Sequence, residues 1–265
     1  MRIQKAVITA AGPNQHRLPL QRFVDLDGQE KTALQIIVEE SAAAGVEAIC
    51  VVVRCGDQHA YAEAAGGYAR MLTFVEQPEP RGYGEALYRA AGFVGDEPFA
   101  HLVSDHLYIS AQTRPCACQL VEVAQQEKYP VSAVQTTRES MLRYYGAVGG
   151  RRVAGRRDLY TIERVLEKPT PTEAEQSLVV PGLRAGHYLC LFGMHVLTPE
   201  VMPILGRSVA AASLGGNGEP IMLSPALEQL AQQQRYLALE LQGSRFNIGA
   251  KYRTLIAQWA LVQAF

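Results

Sequence analysis

Four short stretches of this 265-residue sequence combine residue types that do chemistry at spacings that suit it. Leu102-Val103-Ser104-Asp105-His106 ends an apolar, strand-like run on a carboxylate. An Asp so placed can hold Mg²⁺ against substrate phosphates, because the hard cation takes one or two carboxylates and otherwise keeps phosphate oxygens and water. Capping a helix or turn is an equal use of Asp105. Val165-Leu166-Glu167-Lys168-Pro169 sets a carboxylate beside an ammonium where a proline stops the strand ladder. Adjacent strand residues point to opposite faces, so an internal Glu167–Lys168 ion pair is not expected. One of the two is free to meet sugar hydroxyls and the other a phosphate. The turn Ala10-Ala11-Gly12-Pro13-Asn14-Gln15-His16-Arg17 is made of small residues whose backbone can approach a nucleotide closely. It is neither a Gly-x-Gly-x-x-Gly nor a P-loop sequence, which removes the main support for hydride transfer and P-loop chemistry. Gln77 with Arg81-Gly82-Tyr83-Gly84-Glu85-Ala86 forms a Gly-rich lead into a helix, suited to an amide-bearing or anionic ligand or to a plain loop.

These stretches need a frame that gathers strand ends. Short β-branched runs alternate with segments of helical period, the pattern of βαβ units around a mixed, mainly parallel, Rossmann-like sheet flanked by helices. Lys5 to Ala10, Ala48 to Val53, Leu72 to Val75, Phe99 to Ser104 and Val131 to Thr136 are predicted strands. Helices are predicted near Leu34 to Ala42, Gly84 to Ala91, Gln119 to Gln126 and Tyr252 to Val262. In such a sheet ligands bind beyond the carboxyl ends of the strands, where all four stretches fall. From Tyr145 the texture changes to a hairpin, with Arg151, Arg152, Arg156 and Arg157 near its tip. They could grip a phosphate, but a solvated tip accounts for them more simply. No linker separates two folding units, so the expectation is a single domain over residues 1–265, with the hairpin as a small lobe around 145–168.

Composition bounds the rest. Lys and Arg number 25 against 26 Asp and Glu, a net charge of -1, which lacks the clustered cations of a general nucleic-acid binder. No apolar run reaches membrane-span length, and Met1-Arg2-Ile3-Gln4-Lys5 leads straight into a strand without a signal-peptide core, so a cytoplasmic protein is expected. The five cysteines are odd in number and irregular in spacing, which favours packing over disulfides or zinc.

Taken in order, the motifs resemble the bacterial UTP:glucose-1-phosphate uridylyltransferase family, within the sugar-phosphate nucleotidyltransferases. The resemblance rests on the Lys-Ala-Val-Ile start, Ile37-Val38-Glu39-Glu40, Val94-Gly95-Asp96-Glu97-Pro98, Tyr145-Gly146, Glu167-Lys168-Pro169, Val196-Leu197-Thr198-Pro199-Glu200 and Ile248-Gly249-x-Lys251-Tyr252. It implies a Mg²⁺-dependent reaction of UTP or a related nucleoside triphosphate with a sugar 1-phosphate, giving a UDP-sugar and pyrophosphate. It also implies a homodimer or tetramer. Carried over by position, Ala10, Ala11 and Gly12 meet the nucleotide, Gln77, Gly82 and Gly84 read uracil, and Asp105 is the main Mg²⁺ ligand. Gly146 and Glu167 contact the sugar, and Lys168 holds its phosphate.

The departures are as informative. Where the family runs Gly-Thr-Arg and then Thr-Lys, this chain has Asn14, Gln15, His16 and then Gln21-Arg22. His16 lacks the guanidinium fork, so Arg17 is expected to supply the catalytic cation. The family's Pro-Lys segment is replaced by Phe23 to Lys31, with Lys31 its only lysine. The second metal carboxylate is Asn247, which can ligate Mg²⁺ without bringing charge. Two rivals follow: a catalytically degenerate paralogue that binds a sugar phosphate or nucleotide as sensor or scaffold, and a glycosyltransferase using Asp25-Leu26-Asp27.

Overall fold

The structure, a computed structural model, describes residues 1–13, 15–214, 219–249 and 252–264. Asn14 and Lys251, both parts of motifs above, lie outside those residues. The chain forms β1 (Lys5–Thr9), β2 (Arg22–Val24), β3 (Glu30–Thr32), α1 (Ala33–Ala43), β4 (Ala48–Arg54), α2 (Gln58–Ala64), β5 (Leu72–Gln77), α3 (Tyr83–Arg89), α4 (Ala91–Val94), β6 (Phe99–Val103), β7 (His106–Ser110) and α5 (Cys116–Glu127). It continues through β8 (Val131–Arg138), β9 (Ala147–Arg152), β10 (Leu159–Leu166), α6 (Pro171–Ser177), β11 (His187–Leu197), α7 (Val201–Ser213), α8 (Ser224–Gln233), β12 (Leu237–Glu240), β13 (Gly243–Asn247) and α9 (Arg253–Ala264).

The unbroken apolar runs become the central strands because both of their faces are covered. Ala6, Ile8, Ile49, Val51 and Val53 pack on one side with Leu34, Ile37 and Val38 of α1 and Leu120 of α5. Their alternates Val7, Cys50 and Val52 pack on the other with Leu87 of α3, Leu205 of α7 and Leu227 of α8. Each fully buried Val or Leu contributes roughly 1.5–3 kcal/mol relative to exposure, so these two layers fix where the strand ends fall. Helix α1 starts at Thr32, whose side chain accepts from the Gln35 N–H at 3.0 Å, and its end is turned by Gly45 at φ 87°.

Among the described residues the main sheet has nine strands, in the order β5-β4-β1-β6-β11-β8-β12-β10-β9. Strands β5, β4, β1, β6, β8, β12 and β9 share one direction, and β11 and β10 oppose them. The hairpin expected as a lobe over the sheet is instead part of it. Strand β10 pairs with β12, and β9 returns to pair with β11 through Val148 opposite Leu189 and Ala147 opposite Cys190. The sheet thus curls back on itself. On that same edge of β11, β6 occupies the stretch from Met194 to Leu197. Gly146, just before β9, therefore lies beyond the carboxyl end of β6, and its carbonyl accepts from the Leu191 N–H at 2.8 Å. The end of β10 is carried to the same place, because Leu166 lies opposite Ala147. Among the described residues, no helix is long and apolar enough to cross a membrane.

Candidate active site

A cleft of about 430 Å³ opens over the carboxyl ends of β1, β5 and β6, and Gln77, Asp105, Glu167, Lys168 and Asn247 all line it. A larger hollow of about 590 Å³ lies across the Ile221–Met222 segment, but among the described residues Arg81 and Glu219 are its only charged lining residues. The chemistry is concentrated in the smaller space.

Asp105 lies between β6 and β7, separated from the end of β6 at Val103 by Ser104, and is buried. Its Oδ1 lies 2.7 Å from His106 Nδ1, and its Oδ2 accepts from Gln15 Nε2 at 3.0 Å. Burial works to raise its pKa, but the charge and hydrogen bond of His106 outweigh that, and the carboxyl is held below its usual range. The β7–β13 ladder brings Asn247 to it from far along the chain, since Asn247 pairs with His106 and the Ile248 N–H donates to Asp105 O at 2.8 Å. A Cβ placed on Gly249 would sit 3.2 Å from Asn247 Oδ1 and 3.8 Å from Asp105 Oδ2. The two oxygens thus approach the same glycine, whose N–H donates to Asn247 Oδ1 at 2.8 Å.

Ala11, Gly12, Gln77 and Gly82 also line the cleft. Gly82 has φ 123°, and a Cβ there would fall 2.5 Å from the backbone of Ile221. The loop is zipped to that segment by Gly84 N–H donating to Ile221 O at 2.7 Å and Ile221 N–H donating to Arg81 O at 2.8 Å. Ala10 and Gly84 stand behind the lining rather than in it. Ala10 donates its N–H to Val52 O at 2.8 Å, and Gly84 lets the loop close on Met222.

Glu167 and Lys168 both face the cleft, with Lys168 Nζ 3.8 Å from Glu167 Oε1. This corrects the expectation that the two would diverge. Strand β10 ends at Leu166, and Lys168 adopts φ 45°, a left-handed backbone that breaks the alternation just before Pro169. Glu167 Oε2 accepts from Ser224 Oγ at 2.5 Å. Gly146 does not line the cleft, but a Cβ there would press within 3.1 Å of both Glu167 Oε2 and Ser224 Oγ, so its smallness leaves room for that pair.

Arg17 is not in the cleft. With His16 it lines a separate hollow beside α2, next to Leu20, Gln21 and Asp57. The turn from Gly12 causes this: Gly12 O accepts from the N–H groups of Gln15 and His16, and His16 O accepts from Tyr61 OH at 2.5 Å, which pins the chain away from Asp105. Gln15 projects into the cleft instead. Lys31 is also elsewhere, held by Asp25, Asp27 and Glu39 at 2.7–2.8 Å, so the Asp25-Leu26-Asp27 pair is engaged by that ammonium. At the hairpin, Arg151 pairs with Glu163, and Arg156 with Asp158 and Glu127.

Several cleft residues had no role from the sequence. Gln15 and His106 adjoin motif residues, and that adjacency was the available signal. Ser224 lies 57 positions from Glu167, and nothing local marks it. Tyr83 lines the cleft and reaches inward, its OH 2.6 Å from Nε2 of the buried His101 on β6, whose Nδ1 lies 2.9 Å from Val7 O. A carbonyl only accepts, so Nδ1 carries the proton and Nε2 accepts from Tyr83. His101 stacks at 5.8 Å on His195, whose Nδ1 lies 2.5 Å from Ser132 Oγ. Burial keeps both imidazoles neutral, pushing His101 down to about 4 and His195 to about 3.

Comparison with known proteins gives the family and the fold. Residues 20–238 match the family model described as Nucleotidyl transferase. UTP--glucose-1-phosphate uridylyltransferase 1 of Streptococcus pyogenes serotype M3 is 30% identical over 280 residues, covering 95% of this chain and 86% of that protein. UTP--glucose-1-phosphate uridylyltransferase of Streptococcus pneumoniae serotype 4 is 29% identical over 278 residues, covering 95% and 87%. Among solved structures, a UDP-glucose pyrophosphorylase complexed with UDP-glucose superposes with a TM-score of 0.79 at 23% identity, covering both chains fully, 100% of each. An apo UDP-glucose pyrophosphorylase gives 0.80 at 21% identity over 99% of each.

Proposed function

Because the chain belongs to the nucleotidyl transferase family, we propose that it transfers the uridylyl group of UTP to glucose 1-phosphate, forming UDP-glucose and pyrophosphate. The carrying observation is that Asp105, Gln77 and Glu167–Lys168, from three distant parts of the chain, line one cleft. In the reaction an oxygen of the sugar phosphate forms a bond to the α-phosphorus of UTP while the bond to the bridging oxygen of pyrophosphate breaks. Such a transfer asks little covalent chemistry of the protein and depends on positioning and charge. Gln77 and Gly82 take the base. Glu167, fixed by Ser224, accepts from sugar hydroxyls, and the ammonium of Lys168 meets the sugar phosphate.

Asp105 and Asn247 fit Mg²⁺, a hard cation that accepts a carboxylate and an amide oxygen and fills its remaining positions with phosphate oxygens and water. When bound, the ion offsets phosphate charge, with one protein carboxylate rather than two to hold it. Asp105 keeps its carboxylate ready for that use through His106 and Gln15. The sensor or scaffold reading is not favoured, since Asp105, Gln77, Glu167 and Lys168 still share the cleft. Incubation with UTP, glucose 1-phosphate and Mg²⁺ should release pyrophosphate; no release across several nucleotide and sugar-phosphate pairs removes the enzyme assignment.

Five free cysteines support a reducing, cytoplasmic setting. Leu255, Ile256, Trp259 and Val262 of α9 are more than half exposed, at 53–71%. Val24 and Leu26 are also exposed, and Val24 lies against α9 through hydrogen bonds to Gln258 at 2.9 Å. An apolar patch of this kind supports self-association.

A further inference from the structure

Gln77 and Glu85 form a buried pair whose chemistry goes further than its place in the loop. Gln77 ends β5 and is 3% exposed, and Glu85 in the first turn of α3 is fully buried. Gln77 Nε2 donates to Glu85 Oε2 and, at 3.2 Å, to Gly82 O. Glu85 is in turn held by Arg89 Nε at Oε1, with Arg81 Nη2 at 3.9 Å. Both amide protons of Gln77 are therefore engaged by the protein. Its other end, Oε1, receives no hydrogen bond from the described residues, and Gln77 lines the cleft.

The amide cannot turn round. A carboxylate and a carbonyl only accept, so a flipped Gln77 would set Oε1 against Glu85 Oε2 and Gly82 O with no proton between the three oxygens, two of them on buried side chains. Glu85 thus decides which end of the amide faces the cleft. We propose that Glu85 is a positioning residue that fixes the Gln77 carbonyl toward the nucleobase, so that the site selects a base offering a ring N–H. This rests on the reading of the cleft as a nucleotide site. Uracil supplies that N–H at N3. Cytosine has nearly the same shape but places a lone pair at N3, which would face the Gln77 carbonyl oxygen. A site built to hydrogen-bond one group rejects its mismatch by far more than a shape difference of the same size would.

The test compares kcat/KM for UTP and CTP with glucose 1-phosphate, and direct binding of each nucleotide by calorimetry, in the wild type and in Glu85→Gln. A neutral amide at position 85 can donate as well as accept, which frees Gln77 to turn. The wild type should favour UTP by roughly 10²-fold or more, and Glu85→Gln should lower that ratio at least tenfold, chiefly by gaining CTP. An unchanged ratio in a folded Glu85→Gln, with both nucleotides weakened alike, would make Glu85 merely structural and overturn the proposal. If Glu85→Gln does not fold, the wild type still decides. Tight UTP binding with rejection of both CTP and N3-methylated UTP supports the fixed carbonyl, and acceptance of CTP within tenfold of UTP overturns it. A wild type that binds neither nucleotide overturns both this proposal and the nucleotide-site reading, whereas UTP binding without discrimination overturns this proposal alone.

Discussion

Acid should weaken this protein through the histidines at the centre of its sheet. His101 is buried with its ring fixed as a neutral tautomer between Val7 O and Tyr83 OH, and burial lowers its pKa from 6.5 to about 4. A base whose pKa is depressed by folding gives stability that is fully present above its unfolded pKa. That stability is lost as pH falls through 6.5 toward 4, because the unfolded chain takes up the proton first. At about pH 5 the loss from His101 is roughly 2 kcal/mol, reaching about 3 kcal/mol near pH 4, a large share of an ordinary total stability of about 5–15 kcal/mol. His195 adds a comparable loss. Glu40 acts in the opposite sense, since burial raises it to about 7 and its contribution grows as pH falls. A single pH series on the wild type therefore mixes opposing effects. His101→Gln separates them, because the amide can donate to Val7 O and accept from Tyr83 OH but does not titrate. Urea unfolding at about pH 7.5 and about pH 5 should show the wild type losing roughly 2 kcal/mol more than His101→Gln, with Glu40 common to both. Equal losses in the two proteins would refute the assignment of a neutral, buried His101.

Three further outcomes are expected. Gly82→Ala combines a left-handed φ with a Cβ 2.5 Å from the Ile221 backbone and should cost roughly 3 kcal/mol, whereas Gly28→Ala, with φ 75° and nothing within 4 Å, should cost only about 1 kcal/mol. Differential calorimetry distinguishes the two, and equal Tm values would contradict the close approach of the 82 and 221 segments. Lys168→Ala should lower kcat/KM for glucose 1-phosphate by roughly 10²- to 10³-fold without changing Tm, because its side chain is 53% exposed. An unaltered rate would remove Lys168 from the sugar-phosphate site. Trp259→Glu with Leu255→Glu should convert an oligomer to a monomer in light scattering, and an unchanged mass would move the interface away from α9.

What the sequence made legible was local. Asp105, Gln77 and Glu167–Lys168 could be singled out because each follows a strand whose apolar run marks it, and sheets of this class place strand ends together. What escaped depended on pairings that no short window contains. The return of β9 to β11 is set by Ala147 meeting Cys190, and it alone explains how Glu167 reaches the neighbourhood of Asp105. Arg17 looked suited to replace a missing guanidinium, yet the turn at Gly12 and the Tyr61 hydroxyl direct it to another hollow. The Glu167–Lys168 contact was hidden by the left-handed backbone at Lys168, a conformation that a lysine codon does not announce.

The most direct test of the account is pyrophosphate release by the purified protein supplied with UTP, glucose 1-phosphate and Mg²⁺, with Asp105→Asn measured alongside. Steady release with stoichiometric UDP-glucose is expected, reduced roughly 10²-fold or more in Asp105→Asn. Release that is absent, or that is the same in both proteins, would contradict it.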